Sequence, residues 1–412
     1  MTKLSRRPSL RVSSTRRCCE RMNGKRWRCS FLACPCRRGK NMMPDHDRLR
    51  EVAGLFLKLG LIGFGGPLAH IALMERECVQ KRRWVSADEF LDLMAFTNLI
   101  PGPNSTELAI HLGVVRAGRI GGIVSGVLFI LPAFVMVTAL AHFYTRFGNL
   151  PSVGAFLEGM KPVLLAVVTV VVVQLAKTAL ADWETRAFAG LALLMMALTR
   201  QELVVLIAVG VVAMAWRRWR GAVLGIATLP AAMSQVVPFS LPLMAGLFFK
   251  IGATLFGTGY LLITYLQADF VERTGWLTQR QLLDAVAAGQ LTPGPVLTTA
   301  AFIGYLKAGL LGAFIATVAI FLPAFLLVLL LSPLWQRGKQ WRPLRGALRG
   351  INAAVVVLLA WTLMQLGLSL LKSSFAITLF LFALVLHWRR GDATWLMLAG
   401  GIVSIFFRWV LR

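Results

Sequence analysis

The sequence predicts an all-α, polytopic integral membrane protein built from two homologous repeats of inverted topology that contain broken helices. Three observations predict it. Long blocks of the chain carry no charge, the whole pattern recurs at a fixed spacing, and each copy is interrupted by Pro-Gly-Pro.

The uncharged blocks come first. A helix needs ~20 mostly apolar residues to cross the hydrocarbon layer. Residues 120–144, 221–249, 308–336 and 350–371 contain no Asp, Glu, Lys or Arg, and each is long enough to span. Blocks at 187–199, 203–216, 373–388 and 393–407 are shorter and read as short or tilted spans paired across polar breaks. A mean hydropathy of +0.69 with 15% charged residues excludes an ordinary soluble domain. Strands of a membrane barrel would alternate apolar and polar residues, and these runs do not.

A net charge of +26 raises nucleic acid as a partner, but its distribution argues against it. Residues 1–40 hold thirteen Lys or Arg against one acid, Glu20, and much of the rest lies in short runs at 217–220 and 337–349. Basic clusters of this kind mark loops facing an anionic cytoplasmic leaflet. The expected location is therefore the cell inner (plasma) membrane, with a cytoplasmic N-terminus. Cys18, Cys19, Cys29, Cys34 and Cys36 sit in the basic stretch and only Cys78 lies beyond it. Cys34-Pro-Cys36 has no second ligand pair at zinc-site spacing, so no metal and no cofactor are expected. The stretch lacks the continuous apolar core of a signal peptide. It reads as a disordered tail, or as a start assigned too early with the true one at Met42 or Met43.

The recurrence is the second observation. At an offset of 192, Phe56, Lys58, Gly60, Phe64-Gly65 and Trp84 meet Phe248, Lys250, Gly252, Phe256-Gly257 and Trp276. The same offset aligns Pro101-Gly102-Pro103 with Pro293-Gly294-Pro295. After a one-residue gap, Arg116-Ala117-Gly118 meets Lys307-Ala308-Gly309, and Leu131-Pro132-Ala133-Phe134 meets Leu322-Pro323-Ala324-Phe325. The expected domains are a tail (1–45), a first repeat (46–220), a spanning linker (221–245) and a second repeat (246–412). Equivalent loops differ in charge: the long block of repeat one is followed only by Arg146, that of repeat two by the basic run 337–349. Equivalent loops therefore prefer opposite sides, the pattern of an inverted pair.

The third observation locates the expected site. Proline removes a donor and disfavours helix in the residue before it, so Pro101 and Pro103 end one helix and start another. The flanking pieces, about 88–99 and 104–114, are each too short to span. Gly63-Phe64-Gly65-Gly66-Pro67 forms an earlier break, echoed by Phe256-Gly257-Thr258-Gly259. Broken backbone at membrane depth survives only inside protein or against a water-filled cavity, and paired breaks in two repeats point to a substrate site. A helix that starts after Pro-Gly-Pro presents N–H groups and a positive dipole end to an anion.

Asn104, Ser105, Thr106 and Thr298 are candidates to cap these helices or to bind an oxyanion. Lys58, Lys250 and Arg116 are candidate anion ligands, while Glu107 and His111 are candidates for proton coupling. His70 could shuttle protons. Plainer readings stand beside these: snorkelling lysines, glycines that only let helices pack closely, Trp84 and Trp276 as interfacial anchors, neutral packed imidazoles, and Arg116 and Lys307 as markers of helix ends.

At these residues the sequence resembles the chromate transporter family in its two-domain long form. The resemblance rests on Phe64-Gly65-Gly66-Pro67 with His70, Trp84, Pro101-Gly102-Pro103, Leu112-Gly113, Arg116-Ala117-Gly118, and Phe129 with Leu131-Pro132. It covers about residues 50–410. Glu107 stands where the resemblance implies an amide, and Gly257-Thr258-Gly259 replaces Gly-Gly-Pro. The resemblance implies efflux of chromate, with resistance, and sulfate as the look-alike anion. Uptake or exchange of sulfate or another oxyanion, and a non-transporting scaffold, are the alternatives. No GxxxxGK[ST] sequence occurs, so ATP hydrolysis is not expected. Expected partners are the anion, the bilayer and protons, not nucleic acid; a homodimer is left open.

Overall fold

The computed structural model describes residues 21–22, 26–27, 45–64, 66–97, 100–148, 150–216, 238–256, 259–331, 342–389 and 392–410. Two compact units emerge, Met1–Pro44 and Asp45–Arg412. In the first, Arg21–Met22 pairs antiparallel with Arg26–Trp27. The remainder of the tail, including its cysteines, lies outside the described residues, as do the basic run 217–220 and most of the expected linker span.

The second unit is helical. Repeat one holds α1 (Asp45–Ile62), α2 (Gly66–Glu75) with a π-helical turn Arg76–Lys81, α3 (Ala87–Thr97), α4 (Asn104–Phe147), α5 (Pro151–Ala179), α6 (Trp183–Thr199) and α7 (Glu202–Ala215). Repeat two holds α8 (Leu241–Thr254), α9 (Leu261–Leu266) with a π-helical turn Gln267–Arg273, and α10 (Gln279–Leu291). It continues through α11 (Thr299–Leu331), α12 (Arg342–Leu370), α13 (Ser374–Trp388) and α14 (Ala393–Val410). Element for element, the second series repeats the first. Helix α8 starts at Leu241 because the Ser240 hydroxyl accepts from Leu243 N–H and Pro242 suits a first turn. This helix start falls within the stretch 221–245 that the sequence reads as a linker.

Five helices among the described residues are long and apolar enough to cross a membrane: α4, α5, α11 with its preceding turn, α12 and α14. Two of these are folded double. Ala117 (φ −137°, ψ 27°) and Gly118 (φ 67°, ψ −163°) divide α4 into 104–116 and 119–147. Ala308 and Gly309 divide α11 in the same way. The Ser125 hydroxyl donates to Ala109 O at 2.9 Å. Along one straight helix those residues would lie about 24 Å apart, so the two pieces of α4 are antiparallel. Gly113 against Gly121 and Gly304 against Gly312 let the backbones touch, since a Cβ at any of the four would strike the opposing carbonyl or a neighbouring side chain.

The two copies run against each other. Gly126 of α4 packs on the Phe325 ring of α11, and His142 Nδ1 is 2.7 Å from the Tyr305 hydroxyl. Tyr305 lies at the level of Gly312 because Gly304 packs on it. Advancing along α4 therefore retreats along α11, and equivalent helices are antiparallel: the repeats are inverted. They also exchange partners. Helix α5 packs on α13 and α14 of repeat two, and α12 packs on α6 and α7 of repeat one. Gly159 meets the Gly400 carbonyl, and a Cβ on Gly350 would lie 2.8 Å from Val209 O; these are equivalent contacts at an offset of 191.

Candidate functional site at the crossed helix breaks

Each Pro-Gly-Pro has a single backbone donor, because its prolines have no N–H. That donor is used between repeats. Gly102 N–H donates to Leu255 O at 2.6 Å, and Gly294 N–H donates to Gly63 O at 2.8 Å. Gly63 and Leu255 are equivalent positions, as are Gly102 and Gly294, so each loop tip binds the first break of the other copy. Both glycines hold positive φ, 151° and 98°, which a side chain would strain. The seats match as well. A Cβ on Gly294 would lie 2.9 Å from Ala133 Cβ, and one on Gly102 would lie 3.5 Å from Ala324 Cβ. Those alanines are the equivalent residues of the two Leu-Pro-Ala-Phe motifs.

Polar side chains gather on the repeat-one side of this crossing. His70 is buried, with Nε2 2.8 Å from Gly63 O and its ring edge-on to Phe129. Glu107 is fully buried against Gly102, and neither carboxyl oxygen has a hydrogen-bond partner in the protein. His111 follows four residues later on the same face of α4, buried, with Nε2 unpartnered and its ring edge-on to Phe96. The Thr106 hydroxyl is likewise buried and unpartnered, and Ser105 is buried beside it. Asn104 opens the helix, and Pro103 at its N-cap supplies no side-chain cap. Repeat two is closed by comparison. Thr298 and Thr299 donate to Pro295 O and Val296 O of their own turn, both at 2.8 Å, and Phe302 stands where repeat one has His111. Gly66 restarts the chain as α2 at φ 77°, with Pro67 half-buried after it. Gly65, Gly257 and Thr258 lie outside the described residues.

Lys58, Lys250 and Arg116 each have an acidic partner. Lys58 Nζ lies 3.7 Å from Glu77, which also takes Lys81 at 2.9 Å and Arg82 at 3.6 Å. Lys250 donates to Asp269 at 2.6 Å, with Arg273 3.8 Å from the same carboxylate. Lys58, Glu77 and Lys81 are the equivalents of Lys250, Asp269 and Arg273, so the whole cluster is duplicated. The Glu77 turn lies outside the five spanning helices, and the Lys81 hydrogen bond holds its carboxyl below the usual range against the opposing effect of burial. Arg116 reaches Glu51 at 2.6 Å and lies over the Trp84 ring, at the far end of its half-helix from Pro103. Glu77, Asp269 and the alanine seats were missed in the sequence reading. The offset of 192 pairs the two acids, and that signal could have found them.

The chain matches the family model described as "Chromate transporter" over residues 50–215 and again over 243–405. It is 35% identical over 320 residues to the chromate transport protein of Cupriavidus metallidurans, covering 75% of this chain and 80% of that one. It is 31% identical to a probable chromate transport protein of Synechococcus elongatus over 83% and 91% of the two chains. A chromate transport protein of Pseudomonas aeruginosa is 30% identical over 76% and 79%. No solved structure matches.

Proposed function

The chain belongs to the chromate transporter family, a multi-pass membrane protein that transports rather than catalyses, and from that premise we propose that it exports chromate from the cytoplasm by alternating access at the crossed breaks. The observation that carries the mechanism is the reciprocal pair of hydrogen bonds, Gly102 to Leu255 and Gly294 to Gly63. Each ties the tip of one inverted copy to the first break of the other, so one copy rocking against the other opens the site to alternate sides. Proline-flanked glycines limit the tips to these bonds, and Ala133 and Ala324 leave room for them to slide. The start of α4 offers its positive end to the anion, with Thr106 as a hydroxyl donor. Glu107 and His111, four residues apart and buried, carry the proton that exchanges for it.

Direction follows from the membrane potential. At 100 mV, inside negative, each charge is worth ~2.3 kcal/mol, so a dianion gains about 4.6 kcal/mol on leaving. The location that fits is the plasma membrane, with chromate resistance as the outcome. The test is flux of labelled chromate in inverted vesicles, with and without a proton gradient. Uptake into those vesicles, competed by excess sulfate, is the expected result. Inward movement in right-side-out vesicles that sulfate outcompetes would instead make the chain an oxyanion importer, and no flux with confirmed membrane insertion would sink the assignment.

A further inference from the structure

A second polar feature lies away from the crossing. Lys161, in α5, is 6% exposed and sits 3.0 Å from Asp284 of α10, itself 1% exposed. Tyr144 donates its hydroxyl to the other carboxylate oxygen at 2.9 Å. Burying such a pair costs desolvation that attraction alone need not repay, so stability does not by itself account for it. Lys161 belongs to the lining of a cavity of about 1020 Å³. The cavity is bounded by the starts of α5, α10 and α13 and the ends of α12 and α14, so it opens where helices terminate. Ten residues separate Pro151 from Lys161, which sets the lysine about 15 Å below that opening. Arg280 and Arg408 line the walls, half-exposed, with Glu158 paired to both. Ser369 and Ser404 add hydroxyls. Past Lys161 a narrow apolar seam, lined by Leu164, Leu283 and Leu359, reaches Ile263 of α9, the helix that follows the broken segment of repeat two.

Three cations against Glu158 and Asp284 leave the cavity one charge positive. The repeat offset puts Asn352 where Lys161 stands, Asp88 where Arg280 stands and Arg349 where Glu158 stands. In an inverted molecule this pattern therefore belongs to one membrane face only.

We propose that this cavity is an oxyanion vestibule, in which a small tetrahedral dianion is drawn in by Arg280 and Arg408 and binds at Lys161, with Asp284 balancing the ammonium between visits. The onward route to the breaks rests on the transport reading above; binding at Lys161 does not.

Equilibrium dialysis of labelled chromate and labelled sulfate against the purified full-length chain in detergent tests the binding. Arg280→Gln/Arg408→Gln alters only half-exposed side chains, and Lys161→Gln/Asp284→Asn strands neither buried partner. Each pair is expected to weaken binding about tenfold or to remove one bound anion per chain. Unchanged binding in the folded arginine pair, or no binding of either anion by the wild type, overturns the proposal. Displacement of the label by phosphatidylglycerol but not by excess sulfate would assign the cavity to a lipid headgroup and also overturn it. In oriented vesicles the arginine pair should raise half-saturating chromate about tenfold from one face only; an equal rise from both faces contradicts a one-sided vestibule. Wild-type dialysis binding that both variants lose, in a chain that moves no chromate, would uphold the vestibule and remove the transport reading.

Discussion

Glu107 meets no hydrogen-bonding group of the protein, is fully buried, and touches the loop tip through Gly102. A buried carboxyl with no partner is costly to keep, which marks it as a candidate for function, and proton exchange gives it a task. Glu107→Gln keeps the shape and removes the exchangeable proton. It is expected to leave folded protein in the membrane while the response of chromate flux to an imposed proton gradient falls at least about a hundredfold, the lower end of what one lost general acid–base group costs. A wild-type gradient response would take Glu107 out of the coupling. The lysines make a second residue-scale contrast. Lys250 is the main partner of Asp269, and Lys250→Gln is expected to cost about 2 kcal/mol, because the buried acid keeps only Arg273 at 3.8 Å. Lys58 is more exposed, and Glu77 retains Lys81 and Arg82, so Lys58→Gln should cost under about 1 kcal/mol. Thermal unfolding in detergent orders the two. Both lysines were legible as a repeated pair, but their acidic partners were not, because an ion pair depends on which helix faces return to each other after the break.

At the scale of elements, the glycines that recur between copies mark crossings. A Cβ on Gly252 would collide with the Ile320 backbone, and one on Gly60 would lie 2.7 Å from Phe129 O. Backbone cannot step aside as a side chain can, so Gly252→Ala is expected to cost about 3 kcal/mol by overpacking. Gly246 has nothing within 4 Å, and Gly246→Ala should gain about 0.5–1 kcal/mol from helix propensity. Denaturation midpoints of the two variants check this; equal shifts would mean that α8 does not cross α11 at Gly252. The breaks themselves were legible, since proline chemistry ends α3 and starts α4 wherever the chain lies. Arg116 and Lys307 also read as helix ends beside Gly118 and Gly309, and the turns are there. The way the pieces double back was not legible, because a glycine permits a reversal without dictating its direction.

At the scale of the whole molecule, neither repeat is a self-contained domain. Helix α5 is buried on α13 and α14, while α12 is buried on α6 and α7, so each copy completes the other's core. Expressed alone, residues 45–225 or 226–412 are expected to be degraded or to aggregate, with an apolar face left unpartnered. Co-expressed, the two pieces should assemble and restore chromate flux, read by co-purification and vesicle assay. A stable, monodisperse single half would contradict the exchange. The tips at Gly102 and Gly294 carry the same lesson, since each bond needs a carbonyl from the other copy.

By itself the sequence determined that this protein crosses the membrane, that it is a duplicated chain, and that both copies break at Pro-Gly-Pro. Those facts follow from residue type and spacing: apolar length, matched positions, and a ring that removes a donor. Only the tertiary structure decided what the breaks face, which cations are already paired, and that Lys161 and Asp284 meet below a cationic cavity. Each of these joins residues far apart in sequence, and nothing local shows which carboxylate, if any, comes to lie beside a given lysine.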